Sequence, residues 1–146
     1  VMAGHRIVTG IVIHAAPERV WAVLTDFPAY PQWNPFVVSV TGKPQAGERL
    51  VISLAPPGGR GMVFKPLVLT ADPPRELRWR GRLLVPGLFD GEHFFRLEPQ
   101  PGGATKLVHG EDFSGLLVPM SRRSLEQGTR AGFVLMNEAL KKRAES

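Results

Sequence analysis

Three residues in the C-terminal half could do acid-base chemistry together: His93, His109 and Glu111. In FDGEHFFRL the residues Phe89, Gly91, His93, Phe95 and Leu97 alternate with their neighbours, and in TKLVHGEDF so do Thr105, Leu107, His109, Glu111 and Phe113. Both stretches read as strands, and the intervening QPGGA is short turn chemistry that closes a hairpin. Successive strand side chains point to opposite faces. If Phe95, Leu97, Leu107 and Phe113 face an interior, then His93, His109 and Glu111 face it too. The short loop makes His93 a direct or diagonal neighbour of the other two. Imidazole titrates near neutrality and burial drives a carboxyl pKa up towards it. Such a group can therefore orient a carbonyl or hydroxyl ligand, or act as acid and base. The same side chains could equally satisfy one another and only stabilise the sheet. A metal site of two His and one Glu is sterically conceivable, but no compact ligand motif such as HExxH occurs, and neither a metal nor another cofactor is expected.

Other chemistries are set aside more simply. The chain has no cysteine, which removes disulfides and thiolate sites and allows a reducing compartment. No serine sits in GxSxG, and glycine is never spaced as GxGxxG or GxxxxGK[ST]. His5, in the terminal segment, and His14, opposite in parity to Ile11 and Ile13, are expected in solvent without a role.

The elements that must position the trio follow from periodicity. RIVTGIVIH (6–14) is β-branched, with Ile7, Thr9, Ile11 and Ile13 on one face, and predicts a first strand. Pro17 suits a helix's first turn and Glu18 its dipole. Val20, Trp21, Leu24 and Phe27 then recur at helical spacing, predicting a short helix to about Thr25. Pro28, Pro31 and Pro35 permit only brief helical turns beyond it. Apolar runs at about 37–42, 48–54, 62–71, 75–82, 88–98 and 104–113, separated by Gly and Pro clusters such as APPGGRG, DPP, LVPG and QPGGA, predict an antiparallel meander. From Ser121 to about Arg143, Leu125, Thr129, Gly132, Phe133, Met136 and Leu140 form one helical stripe. Gly128 and Gly132 weaken that helix unless they permit close approach to another surface, expected to be the sheet. Phe133 and Met136 should face the sheet, with Arg130 and Lys141 wet.

Composition bounds the partners. At 146 residues, 43% hydrophobic and 21% charged, the chain has the size and make-up of one globular domain. Its formal net charge of +5 could suit nucleic acid or an anionic membrane. The basic residues are scattered, however. Arg75, Arg78, Arg80 and Arg82 alternate along a strand's wet face, while Lys141, Lys142 and Arg143 suit a helix C-terminus. No nucleic-acid partner is expected. No apolar run reaches the roughly 20 residues of a membrane-spanning helix, and the start lacks a signal peptide's apolar segment, so a cytoplasmic location is expected. Val1 reads as an extension ahead of a natural start at Met2.

Specific residues sharpen this picture. APERVWAVLTDFPAYPQWNPF, containing Trp21, Asp26, Tyr30, Trp33, Asn34 and Pro35, followed by DPPRELRW with Leu77 and Trp79 and by TKLVHGEDFSG with Glu111 and Gly115, resembles the START-like (SRPBCC, helix-grip) superfamily, in particular its polyketide cyclase/dehydrase-like branch. The resemblance covers nearly the whole chain. It implies one α+β domain over residues 2–146, in which a curved antiparallel sheet of seven strands grips a long C-terminal helix, with two short helices after the first strand. It also implies an internal cavity for a small hydrophobic or aromatic molecule. In a hollow fold, core-facing and ligand-facing positions overlap, so Phe64, Trp79, Phe89, Phe95, Phe113, Phe133 and Met136 are expected to join His93, His109 and Glu111 around that molecule. Trp79 and Phe133 are the preferred walls, whereas Trp21 and Trp33 are expected to anchor the short helices. Three functions stay open: a binding protein, a cyclase/dehydratase-like enzyme using the His/Glu group, and an accessory protein at a membrane surface. Homodimerisation is also open.

Overall fold

The computed structural model describes residues 4–83 and 87–146; Met2 and most of the LVPG turn lie outside them. β1 (Gly4–Ile13) shows the expected alternation, with Ile7 and Ile13 fully buried and Val8 and Val12 exposed. α1 (Pro17–Thr25) carries Pro17 in its first turn and buries Val20, Val23 and Leu24. A 3₁₀ turn (Phe27–Ala29) and α2 (Tyr30–Trp33) follow. The buried Tyr30 hydroxyl donates to Leu24 O, tying this corner back to α1. Asn34 Oδ1 accepts from the backbone N–H groups of Phe36 and Val37 at 3.0 and 2.9 Å, which turns the chain into the next strand. Trp21 and Trp33 are half-buried and pack on the core around these short helices.

The strands that follow are β2 (Val37–Thr41), β3 (Val51–Leu54), β4 (Met62–Phe64), β5 (Leu67–Asp72), β6 (Glu76–Leu83), β7 (Phe89–Pro99) and β8 (Thr105–Ser114). The run expected at 62–71 is thus divided, because Pro66 has no N–H to give a ladder, and the described residues form eight strands rather than seven. Five pair in the order β1-β8-β7-β6-β5 and three as β2-β3-β4. An Arg49–Leu67 bridge joins the two groups, reinforced by Leu50 N–H to Pro66 O and Val68 N–H to Glu48 O, both 2.9 Å. The sheet is therefore continuous across the break.

The C-terminal helix begins earlier than Ser121. α3 (Val118–Ser124) accommodates Pro119 in its first turn, where a missing N–H costs nothing, and runs through a π-helical turn (Leu125–Thr129) into α4 (Arg130–Glu145). Phe133, Met136 and Leu140 have no exposed surface. At Gly132 an added methyl would overlap the ring of Phe36, which stands just before β2, so the glycine does serve close approach.

Basic residues on this helix cover an edge. β1 is a terminal strand, and Arg122, Arg130 and Lys141 donate to the carbonyls of Gly4, Val8 and Val12 at 3.3, 3.3 and 2.9 Å. Arg130 and Lys141 also pair with Glu126 and Glu145 and keep 39% and 30% of their side chains accessible, so they are wet at one end only. His5, expected in solvent, instead pairs with Glu126 at 2.6 Å. On the convex face Arg6, Arg78 and Arg96 surround the Phe94 ring, and Arg78 pairs with Glu76 and Glu92. No helix among the described residues is long and apolar enough to cross a membrane.

Candidate functional site

The β7–β8 hairpin places the trio by register. His93 lies opposite Glu111, and Phe95 opposite His109, so His93 is diagonal to His109. Gly102 and Gly103, both at positive φ, make the tight QPGGA turn that fixes this pairing. His93 Nδ1 stands 3.0 Å from Glu111 Oε1, and His93 Nε2 stands 2.7 Å from His109 Nε2. The line of contacts continues inward. His109 Nδ1 meets Asn137 Oδ1 of α4 at 2.7 Å, Asn137 Nδ2 donates to Thr9 Oγ1 of β1 at 2.8 Å, and Thr9 Oγ1 donates to His109 O at 2.8 Å.

Aromatic packing holds these rings in place. Trp79, opposite His93 on β6, stacks on it with centroids 5.0 Å apart. His109 is sandwiched between Phe95 and Phe133, at 4.4 and 4.2 Å. Burial therefore disfavours the imidazolium on both histidines. His93 is pushed down to about 3, and His109 falls well below its ordinary value through burial first and His93 second, with Asn137 opposing. Glu111 is driven up to about 8, by burial and then by the neighbouring Asp112 carboxylate. At neutral pH the group is largely uncharged.

One side of it opens on a cavity of about 680 Å³ between the sheet, the 55–61 segment and the first half of the C-terminal helix. Of the residues expected around a ligand, Phe64, Trp79, Phe89, Phe113, His93 and Glu111 line this space. His109, Phe95, Phe133 and Met136 do not. All four have no exposed surface and lie behind the wall, because large side chains interdigitate and fill the space they face. Three contributors were not singled out by sequence. Phe36 lines the cavity and packs edge-on against Phe133. Asn137 and Thr9 complete the hydrogen-bond chain; an asparagine one turn after Phe133, within an apolar stripe, was the available signal. Among the described residues no three His, Asp or Glu side chains are grouped as metal ligands, and His93 has both ring nitrogens engaged.

Comparison with known proteins bears on the same architecture. The protein MLL2253 from Mesorhizobium loti is 27% identical, with a TM-score of 0.72 over 94% of this chain and 95% of that one. The ZhuI aromatase/cyclase from Streptomyces sp. R1128 is 18% identical, with a TM-score of 0.79 over 98% and 94%. Norcoclaurine synthase from Thalictrum flavum is 11% identical, with a TM-score of 0.76 over 99% and 96%. No curated protein matches the sequence. A family model described as polyketide cyclase/dehydrase and lipid transport matches residues 4–145, and with the helix-grip arrangement of sheet and helix it establishes that the chain belongs to that family.

Proposed function

We propose that the protein binds a small, largely apolar molecule in this cavity and holds its oxygen function at Glu111, which His93 supports through its other carboxyl oxygen. The observation that carries this reading is the cavity itself. Its 680 Å³ falls within the usual range for small-molecule sites, its walls are aromatic and aliphatic, and its polar side chains include a connected pair on one wall. Titration with the fluorescent probe 8-anilinonaphthalene-1-sulfonate tests it. Saturable binding of one probe per chain, weakened by Trp79→Leu and by Phe64→Ala, supports the site. Binding indifferent to both substitutions overturns it. Native mass spectrometry of protein purified from its own host would then give the mass of any resident molecule.

A second reading has its own support. A carboxyl group with its pKa near 8, hydrogen-bonded to an imidazole at a cavity wall, suits proton exchange of the cyclase/dehydratase kind. Glu111→Gln separates the two. A binding protein keeps most of its affinity, whereas acid-base catalysis by Glu111 loses about 10²–10⁴-fold in rate.

A further inference from the structure

The buried chain of hydrogen bonds has a direction that its geometry dictates. Thr9 Oγ1 lies 2.8 Å from His109 O and 2.8 Å from the Asn137 amide. A carbonyl oxygen only accepts, and a threonine hydroxyl has one proton, so that proton goes to His109 O. The Asn137 group facing Thr9 must then donate, which turns Oδ1 towards His109 Nδ1 at 2.7 Å. Oδ1 only accepts, so His109 carries its proton on Nδ1. Stacked between Phe95 and Phe133, the ring is neutral and its Nε2 is bare. His93 Nε2, 2.7 Å away, donates to it.

One proton is left to place between His93 Nδ1 and Glu111 Oε1, 3.0 Å apart. On Glu111 it leaves every member neutral; on His93 it creates an ion pair in an apolar wall, where desolvation is costly. The second oxygen, Oε2, occupies space above Gly91 that a β-carbon there would fill, and it has no hydrogen-bond partner among the described residues. Gly91 and Glu111 both line the cavity.

We infer that Asn137 is a positioning residue that fixes the direction of this chain, so that Glu111 turns its acid proton to His93 and offers Oε2 to the cavity as an acceptor, selecting a ligand with a phenolic or enolic hydroxyl. This rests on the cavity being a ligand site. An amide does not pass a proton onward, so no proton travels beyond Asn137 and the chain sets polarity rather than conducting charge. Gln at position 111 reproduces the pattern, since its amide donates to His93 and its carbonyl faces the ligand; Leu does not.

Two measurements test the inference and fail separately. Imidazole ¹⁵N NMR of the unliganded protein at neutral pH should show His109 protonated on Nδ1 and His93 on Nε2. A His109 proton on Nε2, or protons on both nitrogens of His93, overturns the assigned direction. In Asn137→Leu the His109 proton should leave Nδ1; a folded variant with unchanged tautomers overturns the role of Asn137. The second measurement compares 2-naphthol with 2-methoxynaphthalene, which share an apolar body. Naphthol should bind at least about tenfold tighter, a preference kept in Glu111→Gln and lost in Glu111→Leu, in line with a hydrogen bond to a buried group. Equal affinities overturn the ligand class. If neither probe binds, the ligand class and the cavity reading both fall, and the tautomers still decide the direction.

Discussion

The two halves of the C-terminal helix treat the sheet differently. α4 presents Phe133, Met136 and Leu140, and the space beneath it is solid: all three are fully buried, and Phe133 stacks on His109. The first half, α3 and the π turn, lines a cavity with Ser121, Ser124, Leu125, Gln127, Gly128 and Thr129, together with the Pro- and Gly-rich 55–61 segment, and there the structure is hollow. The helix thus leaves a cavity where most of the side chains it turns inward are short and closes it where they are long. Large apolar residues fill a fold of this kind; small ones make room in it. The hydrogen-bond chain crosses the boundary, with Thr9, Asn137 and His109 in the solid half and His93 and Glu111 at the wall of the hollow one.

Truncation should expose that contrast most strongly. Phe133→Ala removes a ring packed on all sides and is expected to cost about 3–5 kcal/mol in urea unfolding. Leu125→Ala, on the cavity side, should cost near the low end for its type, about 2 kcal/mol, because its surroundings are already loosely filled. Equal losses would break the comparison. At Gly132 an alanine methyl must displace the Phe36 ring, with an expected loss of about 1–3 kcal/mol. Asn137→Leu removes the acceptor that holds the His109 proton on Nδ1, leaves that buried nitrogen without a partner and should cost about 1–3 kcal/mol.

The pH dependence of stability sharpens the boundary between the halves. His93 and His109 have folded pKa values below their ordinary 6.5, so their contribution is complete above that pH and is lost as pH falls. Glu111 is raised from 4.5 to about 8, so its contribution is complete below pH 4.5 and is lost as pH rises towards 8. Between 4.5 and 6.5 the two histidines outweigh the one carboxyl, and above 6.5 only the carboxyl acts. For this group stability should therefore peak near pH 6.5 and decline by about 1.4 kcal/mol per unit towards pH 8. Unfolding followed across that window should show the decline in the natural protein and a flat limb in Glu111→Gln. A decline that persists in the variant would place its origin elsewhere.

Much of this was legible in the chain. Alternation in β7 and β8, with the short QPGGA turn, sufficed to bring His93 beside Glu111 and His109, since strand parity and hairpin register leave little freedom. The resemblance carried by Trp21, Tyr30, Trp33 and Trp79 gave the gripping architecture. What periodicity could not supply was depth. It puts Phe95, His109 and Glu111 on interior-facing positions without saying which stops at a neighbour's ring and which reaches open space. Nor does it announce that Asn137 and Thr9, 128 residues apart, meet across α4 and β1. The break at Pro66 escaped because Val63, Phe64, Leu67 and Val68 read through it as one apolar run.

The smallest effect gives the most discriminating test, because its sign differs from that at Gly132. Both glycines sit inside a helix, where alanine is ordinarily the better residue by up to about 1 kcal/mol. At Gly132 that gain is overwhelmed by the Phe36 ring. At Gly128, in the π turn over the cavity, the nearest atom a methyl would meet is Pro57 O at 3.9 Å, an ordinary contact. Gly128→Ala should therefore stabilise the fold by a few tenths of a kcal/mol and up to about 1 kcal/mol, with no repacking. Gly128 also lines the cavity, so the added methyl should take up ligand space and affinity for the anilinonaphthalene probe should fall even as the unfolding midpoint rises. A rise in both would mean that Gly128 lies off the ligand's path. A fall in the midpoint would mean that the first half of the helix is as tightly packed as the second, and the distinction between hollow and solid halves would be lost.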